Sequence, residues 1–336
     1  MTRPDDDTEV DTAWAIRWQA DYCRQANAPV AGAACDAVAD DLTAGGPLTE
    51  RIPATTRFGD WIGLRVLGLT HRLAIERAAP GVAVCAPTLG GSSPFTAPDP
   101  ATAVAAFADA TVEALATHPA ALDDALARVP QTNEPGRARA LRIALARARR
   151  PVRLVELGAS AGLNLRADHL PGDPALEGGP QPEVVLRYGC DLAPVDPTTT
   201  AGRTWLSGFV WFDDTARFAA LGHALEVAAR VPAQVVRADV ADFVGTLSLE
   251  PGTITVVWHS AVWPYLPPDT RRRTEASLDA LAATATADAP LWLTSWEPAS
   301  ANRERFDLVV ERAEGGPATR QVWATGGPHG QGLALT

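Results

Sequence analysis

No lysine occurs among the 336 residues, and all 29 basic side chains are arginine. That absence removes a P-loop lysine, a Schiff-base lysine and any lysine general base. Cysteine is sparse. Cys23, Cys35, Cys85 and Cys190 lie far apart and form no C-x-x-C pair. This spacing argues against a zinc site and for reduced thiols in a cytoplasm. Long apolar runs are missing too: none approaches the ~20 residues of a membrane span. The N-terminal stretch MTRPDDDTEVD is acidic and lacks the apolar core of a signal peptide. Positive charge is in deficit, with a net charge of −11. That disfavours a nucleic-acid partner, because polyanions are held mainly by cations. The expectation is a cytoplasmic protein with no membrane partner.

What is present divides near residue 150. Apolar residues recur at helical spacing in 11–25, 30–43, 58–79, 101–117 and 120–129. Pro29, Pro100 and Pro119 sit where helices begin, and PTLGGSSPFTAPDP before residue 101 reads as a loop. Residues 138–150 read as an arginine-rich helix with a solvated polar face. After Pro151 strand-like runs alternate with helical ones: 152–157, 161–170, 183–188, 214–230, 233–238, 253–258, 268–286 and 290–296. This alternation predicts an α/β fold with a parallel sheet covered by helices. Two extended runs, 306–312 and 320–325, flank Glu314-Gly315-Gly316-Pro317 and predict a terminal antiparallel hairpin. The division expected is a helical domain over 1–150 and an α/β domain over 151–336.

The run VELGASAGLN, Val155 to Asn164, carries the most chemistry. An apolar strand ends in Glu156 and a turn of small residues, and a helical pattern follows. Small residues let backbone approach a ligand, and a helix start offers N–H groups. In an open α/β sheet ligands bind beyond the carboxyl ends of the strands. The residues closing each strand are therefore the candidates: Glu156, then Asp191, Asp239, Trp258 with His259, and Trp296 with Glu297. An acid at a strand end also serves commonly as a helix cap.

From residue 152 onward these motifs resemble class I S-adenosylmethionine methyltransferases, which implies a Rossmann-like sheet of five parallel strands plus a terminal antiparallel hairpin. By that resemblance Glu156 faces the methionine amino group, and Gly158, Ser160 and Gly162 pass beneath the methionine. Asp191 accepts from the ribose hydroxyls, and Asp239 with Val240 lies at the adenine. Trp258 belongs to the cofactor site, while His259, Ser260 and Trp263 face the transferred methyl. The middle loop position, usually glycine in that family, is Ser160 here. VELGASAGLNL, GCDLAPVDP and VVWHSAVWPYLPP also make the whole chain resemble a bacterial family catalogued as domain of unknown function 2332.

Other readings compete. Gly158-Ala159-Ser160-Ala161-Gly162 also matches the G-x-S-x-G elbow of serine hydrolases, with Asp239 and His259, or Asp307 and His329, in triad order. That reading lacks an oxyanion loop and gives Glu156 no role. A nicotinamide site expects an acid ~20 residues past the glycine loop, at the end of the next strand; Glu177 has the spacing but sits in a Pro/Gly loop. A non-catalytic adenosine-ligand or partner-binding protein remains a third reading. The favoured one is methyl transfer from S-adenosylmethionine to a small-molecule substrate. His259 is the candidate base, since its ordinary pKa suits work near neutrality, with Tyr265 and Glu297 behind it. The helical domain is expected to cap the substrate, with 57–61 and the loop 86–98 shaping acceptor choice. Trp205, Trp211, Trp258, Trp263 and Trp296 would then line the active side.

Overall fold

The computed structural model describes residues 4–299 and 302–336. In chain order the helices are α1 (Thr12–Gln25), α2 (Pro29–Ala44), α3 (Ile62–Ile75), α4 (Pro80–Ala83), α5 (Pro100–Ala116), α6 (Pro119–Ala127), α7 (Ala138–Leu145), α8 (Pro174–Glu177), α9 (Thr200–Gly208), α10 (Thr215–Ala228), α11 (Val240–Val244) and α12 (Pro268–Ala282). The strands are β1 (Glu9–Asp11), β2 (Thr55–Arg57), β3 (Val152–Leu157), β4 (Val184–Asp191), β5 (Gln234–Arg237), β6 (Ile254–Ser260), β7 (Leu291–Ala299), β8 (Asn302–Ala313), β9 (Thr319–Gly326) and β10 (Ala334–Leu335). Proline opens α2, α5 and α6 as expected, where its missing N–H is no loss, and Asp11 and Asp99 cap α1 and α5 by accepting backbone N–H groups.

The chain separates into two compact units. The first comprises Met1–Thr132 with Thr200–Ala219, the second Asn133–Thr199 with Ala220–Thr336. The division thus lies before residue 150, and a later stretch containing α9 belongs to the first unit. In that unit the small faces of α1 and α2 pack closely, burying Ile16, Ala20, Cys23, Ala31, Ala34 and Cys35. α9 docks on α3 where Gly68 leaves room: a Cβ there would lie 2.7 Å from Phe209. His71 on α3 is fully buried between the Val210 carbonyl, 2.6 Å from Nδ1, and Thr88 Oγ1, 2.9 Å from Nε2. Burial pulls its pKa down to about 4.

The second unit holds an eight-stranded sheet in the order β10-β9-β8-β7-β6-β3-β4-β5. β5, β4, β3, β6 and β7 run parallel, while β8, β9 and β10 are antiparallel to their neighbours. The strand order reverses between β3 and β6, which opens a crevice at their carboxyl ends. Alternation along the strands assigns faces. Val155, Leu157, Cys190 and Val257 point into one core with Val240, Phe243, Leu278 and Leu281 of α11 and α12.

Two expectations change. The helical pattern at 161–170 becomes a 3-10 helix, Asn164–His169, broken at Arg166. Gly162 has φ +66°, and the tight turn consumes the residues that would have opened an α-helix. The arginine-rich stretch after residue 138 is not solvated throughout. α7 packs on β7 and β8, and Arg142 turns inward onto buried Glu177 (Nε–Oε1 2.7 Å, Nη2–Oε2 3.0 Å), while Arg149 and Arg150 stay exposed.

Candidate functional site

Glu156 ends the apolar run of β3 and is 2% exposed. Asn164 Nδ2 donates to its Oε1 over a long 3.5 Å, while Oε2 has no hydrogen-bond partner in the protein. Asn164 Oδ1 and Ser160 Oγ are likewise buried and unpartnered. Burial pushes the Glu156 carboxyl up to about 8; Asn164, Arg166 and Arg137 pull it down, and Asp191 adds to the rise. Unsatisfied buried polar atoms are uncommon and costly, and here three meet in one turn.

The turn between Glu156 and Asn164 is held from several sides. Gly158 and Ser160 take left-handed backbone, φ +67° and +51°. Asp191 Oδ2 accepts the Ser160 N–H at 2.8 Å and Oδ1 accepts that of Ala193 at 2.8 Å. Asp191 is therefore a clamp on the loop as well as a strand-end acid. Arg166 donates to the Gly162 and Ala161 carbonyls, at 2.7 and 3.3 Å, and to Val231. A Cβ on Gly162 would lie 2.9 Å from Val235, so that glycine serves packing of the loop. Asp239 caps α11 through the Ala241 N–H at 2.9 Å, with Val240 buried beside it.

A second cluster forms where β6 and β7 end. Glu297 Oε1 accepts from His259 Nδ1 at 2.7 Å, from the Val262 N–H at 3.0 Å and from the Trp263 N–H at 3.3 Å. The Trp263 ring stacks on the imidazole, centroids 4.3 Å apart. A carboxylate only accepts, so Nδ1 carries the proton and Nε2 is the basic nitrogen of the neutral ring. Tyr265, two residues beyond Trp263, is 60% exposed.

The register places these clusters on different faces. Glu156 is paired with Trp258, and Leu157 with His259. Glu156 and fully buried Trp258, whose Nε1 has no acceptor, thus share one face. His259 shares the other with Leu157. The residue joining them is Val262. Its N–H reaches Glu297, and its side chain covers Gly158, where a Cβ would lie 2.6 Å from Val262 Cγ2. Ala261 turns the chain with φ +51°.

The remaining candidates separate. Trp205 and Trp211 belong to the first unit, where Trp205 lies 3.7 Å beneath the Arg128 guanidinium and Trp211 meets Tyr22 edge-on. Trp296 is fully buried on β7. Ser160 has no histidine bonded to its hydroxyl, and His259 and His329 face Glu297 and Glu134, so neither triad order is assembled. Among the described residues no histidine, cysteine and carboxylate group forms a metal cluster, and no helix is long and apolar enough to cross a membrane.

Sequence reading passed over Asn164, Asn133 and Arg137. Asn133 Oδ1 accepts the Leu163 N–H at 3.0 Å. Arg137 donates from Nη1 to the Ser260 carbonyl at 3.2 Å and from Nε to Pro328 at 3.0 Å. Asn164 did carry a signal, as the polar residue closing an otherwise small and apolar turn. The other two lie outside any motif.

Residues 13–334 match a family described as "Uncharacterized protein conserved in bacteria (DUF2332)", and the chain belongs to it. No curated protein matches the chain. Among solved structures, the sugar N-methyltransferase KedS8 from Streptoalloteichus sp ATCC 53650 aligns at 12% identity and a TM-score of 0.25, over 58% of this chain and 73% of that one.

Proposed function

We propose that this member of an uncharacterised bacterial family binds S-adenosylmethionine at the end of β3 and transfers its methyl group to a small molecule. One observation carries the reading. Glu156 Oε2 and Asn164 Oδ1 are buried acceptors without donors, beside a loop of left-handed backbone at the strand-order reversal. An ammonium group has three donors and a positive charge, which suits both atoms. Asp191 fits the ribose diol, since a carboxylate offers two acceptor oxygens to two hydroxyl donors. Asp239 and Val240 fit the adenine edge, and Trp258 backs the pocket.

When bound, the cofactor supplies an electrophilic methyl group on a sulfonium. The chain's own part is proton handling and alignment. His259 Nε2 takes the proton of an acceptor O–H or N–H. Glu297 fixes the ring through Nδ1–H and stabilises the imidazolium that forms, so it acts as a positioning residue rather than an alternative base. Val262, packed on Gly158 and bonded to Glu297, couples the position of the base to the loop. Alignment of acceptor and methyl supplies much of the rate.

The test is thermal shift and titration calorimetry with S-adenosylmethionine, S-adenosylhomocysteine, NAD and NADP. A ligand that binds the native state raises Tm by mass action. The adenosylmethionine pair should stabilise the protein and the dinucleotides should not. Glu156→Gln should weaken the binding at least tenfold. No shift with S-adenosylhomocysteine at millimolar concentration would overturn the proposal.

A further inference from the structure

The first turns of α12 carry the run Arg271-Arg272-Arg273, and its charges are unevenly answered. Arg272 pairs with Asp269 at 3.0 Å. Arg273 pairs with Asp242 and, at 3.9 Å, with Asp239. Both are exposed. Arg271 is half-buried, yet among the described residues no carboxylate lies within ion-pair distance of it, Glu275 one turn on included. Its Nη2 donates to the Trp263 carbonyl at 2.6 Å, a neutral acceptor, and its Nε is buried without a partner. Trp263 joins this guanidinium to the candidate base: its ring stacks on His259, its N–H reaches Glu297 and its carbonyl holds Arg271. α12 also covers the face of the sheet that His259 occupies, since Leu278 and Leu281 share a core with Leu157. Glu156 lies on the opposite face. The unanswered charge therefore belongs to the side of the base and not to the side of the cofactor's amino group. A clamp on a turn needs only a neutral donor. A cation kept half-buried without a counter-ion loses hydration that nothing in the protein returns.

We infer that Arg271 reads an anionic group on the methyl acceptor, a carboxylate or a phosphoryl group, so that the substrate is an acid carrying the O–H or N–H that His259 deprotonates. The inference rests on the methyl-transfer reading above and names its substrate class. Guanidinium suits either anion because its planar fork gives a carboxylate or a phosphate two parallel bonds. Trp263 fixes both the fork and the base, so an acid bonded to Arg271 is presented to His259 Nε2 in a set position. A neutral acceptor of the same shape lacks that anchor.

Titration calorimetry with benzoate, phenyl phosphate and benzamide tests this, each added to protein saturated with S-adenosylhomocysteine. The ring is the same in all and only the head group differs. The native protein should bind one of the anions at least tenfold more tightly than the neutral amide, the worth of a charge-assisted bond. Which anion it prefers separates a carboxylate acceptor from a phosphoryl one. Arg271→Gln should erase the preference, weakening that anion tenfold or more while leaving benzamide and S-adenosylhomocysteine within about twofold. Failure of S-adenosylhomocysteine to bind overturns the methyl-transfer reading and this inference with it. Where it binds, equal affinity for all probes, or no binding of either anion, overturns the inference alone. So does a preference that survives in Arg271→Gln. A variant weakened equally for every probe shows a clamp that only ties α12 to the Trp263 turn, and that result also overturns the inference. The native comparison needs no variant. Should Arg271→Gln fail to fold, Arg271→Lys keeps the charge and loses the fork; it should retain only part of the preference, and an unchanged preference overturns the inference.

Discussion

Ser160 occupies left-handed backbone that costs an L-residue about 1 kcal/mol, and its hydroxyl is buried without a partner. Both terms disappear in glycine. Ser160→Gly is therefore expected to raise Tm by a few degrees and to leave S-adenosylhomocysteine affinity equal or higher, measured by calorimetry. A hydrolase would instead lose its nucleophile, and a fluorophosphonate label present on the native protein and absent from the variant would contradict this account. At the same scale Asp191 is more than a ligand group. It holds the Ser160 and Ala193 N–H groups, so its removal loosens the loop together with any ribose contact.

At the scale of elements, α7 shows how one ion pair places a helix. Arg142 and Glu177 join α7 to α8 through two parallel bonds, with side chains 13% and 4% exposed. Gln181 adds a donor to Glu177 Oε2 at 2.7 Å. Breaking a buried pair leaves an uncompensated charge. Arg142→Met should cost about 3 kcal/mol, whereas Arg142→Met with Glu177→Leu should recover much of it. Denaturant unfolding of the two variants checks this, and a double variant as unstable as the single one would contradict it. The helix after β3 illustrates the opposite outcome. Its apolar spacing is real, yet the clamp on Gly162 and Ala161 from Arg166 leaves only a 3-10 turn.

The whole molecule carries two buried titratable groups whose effects on stability oppose each other. Glu156 ordinarily titrates at 4.5 and is raised to about 8. Between these values the native state keeps a proton that the unfolded chain has released, so stability falls as pH rises, on the order of 5 kcal/mol in all. His71 ordinarily titrates at 6.5 and is lowered to about 4. There the unfolded chain binds the extra proton, and stability falls as pH drops through that window. The two contributions offset each other between about pH 4.5 and 6.5, which places the optimum there. Stability should decline from pH 6.5 to 8 in the native protein and stay flat over that range in Glu156→Gln. A native protein equally stable at pH 6 and 8 would refute the buried, neutral Glu156. A bound ammonium would favour the ionised form, so ligand binding near pH 7 should release a proton.

The local pattern of the chain determined much by itself. Strand β3, the parallel strands beside it and the terminal hairpin were legible because period-two apolar runs, prolines and glycines act over a few residues. Glu156, Asp191 and His259 were legible for the same reason, since each closes an apolar run. Longer-range placement was decided only by the tertiary structure. Glu297 lies 38 residues from His259, and nothing in either segment announces that one holds the other. Arg137 precedes the helix expected over 138–150 and lies in no motif, yet the Ser260 and Pro328 carbonyls, 123 and 191 residues away, accept from its guanidinium. The division into units followed packing as well: α7 joined the sheet and α9 joined the helices before it, because a helix goes where its apolar face is buried and not where its neighbours in sequence lie.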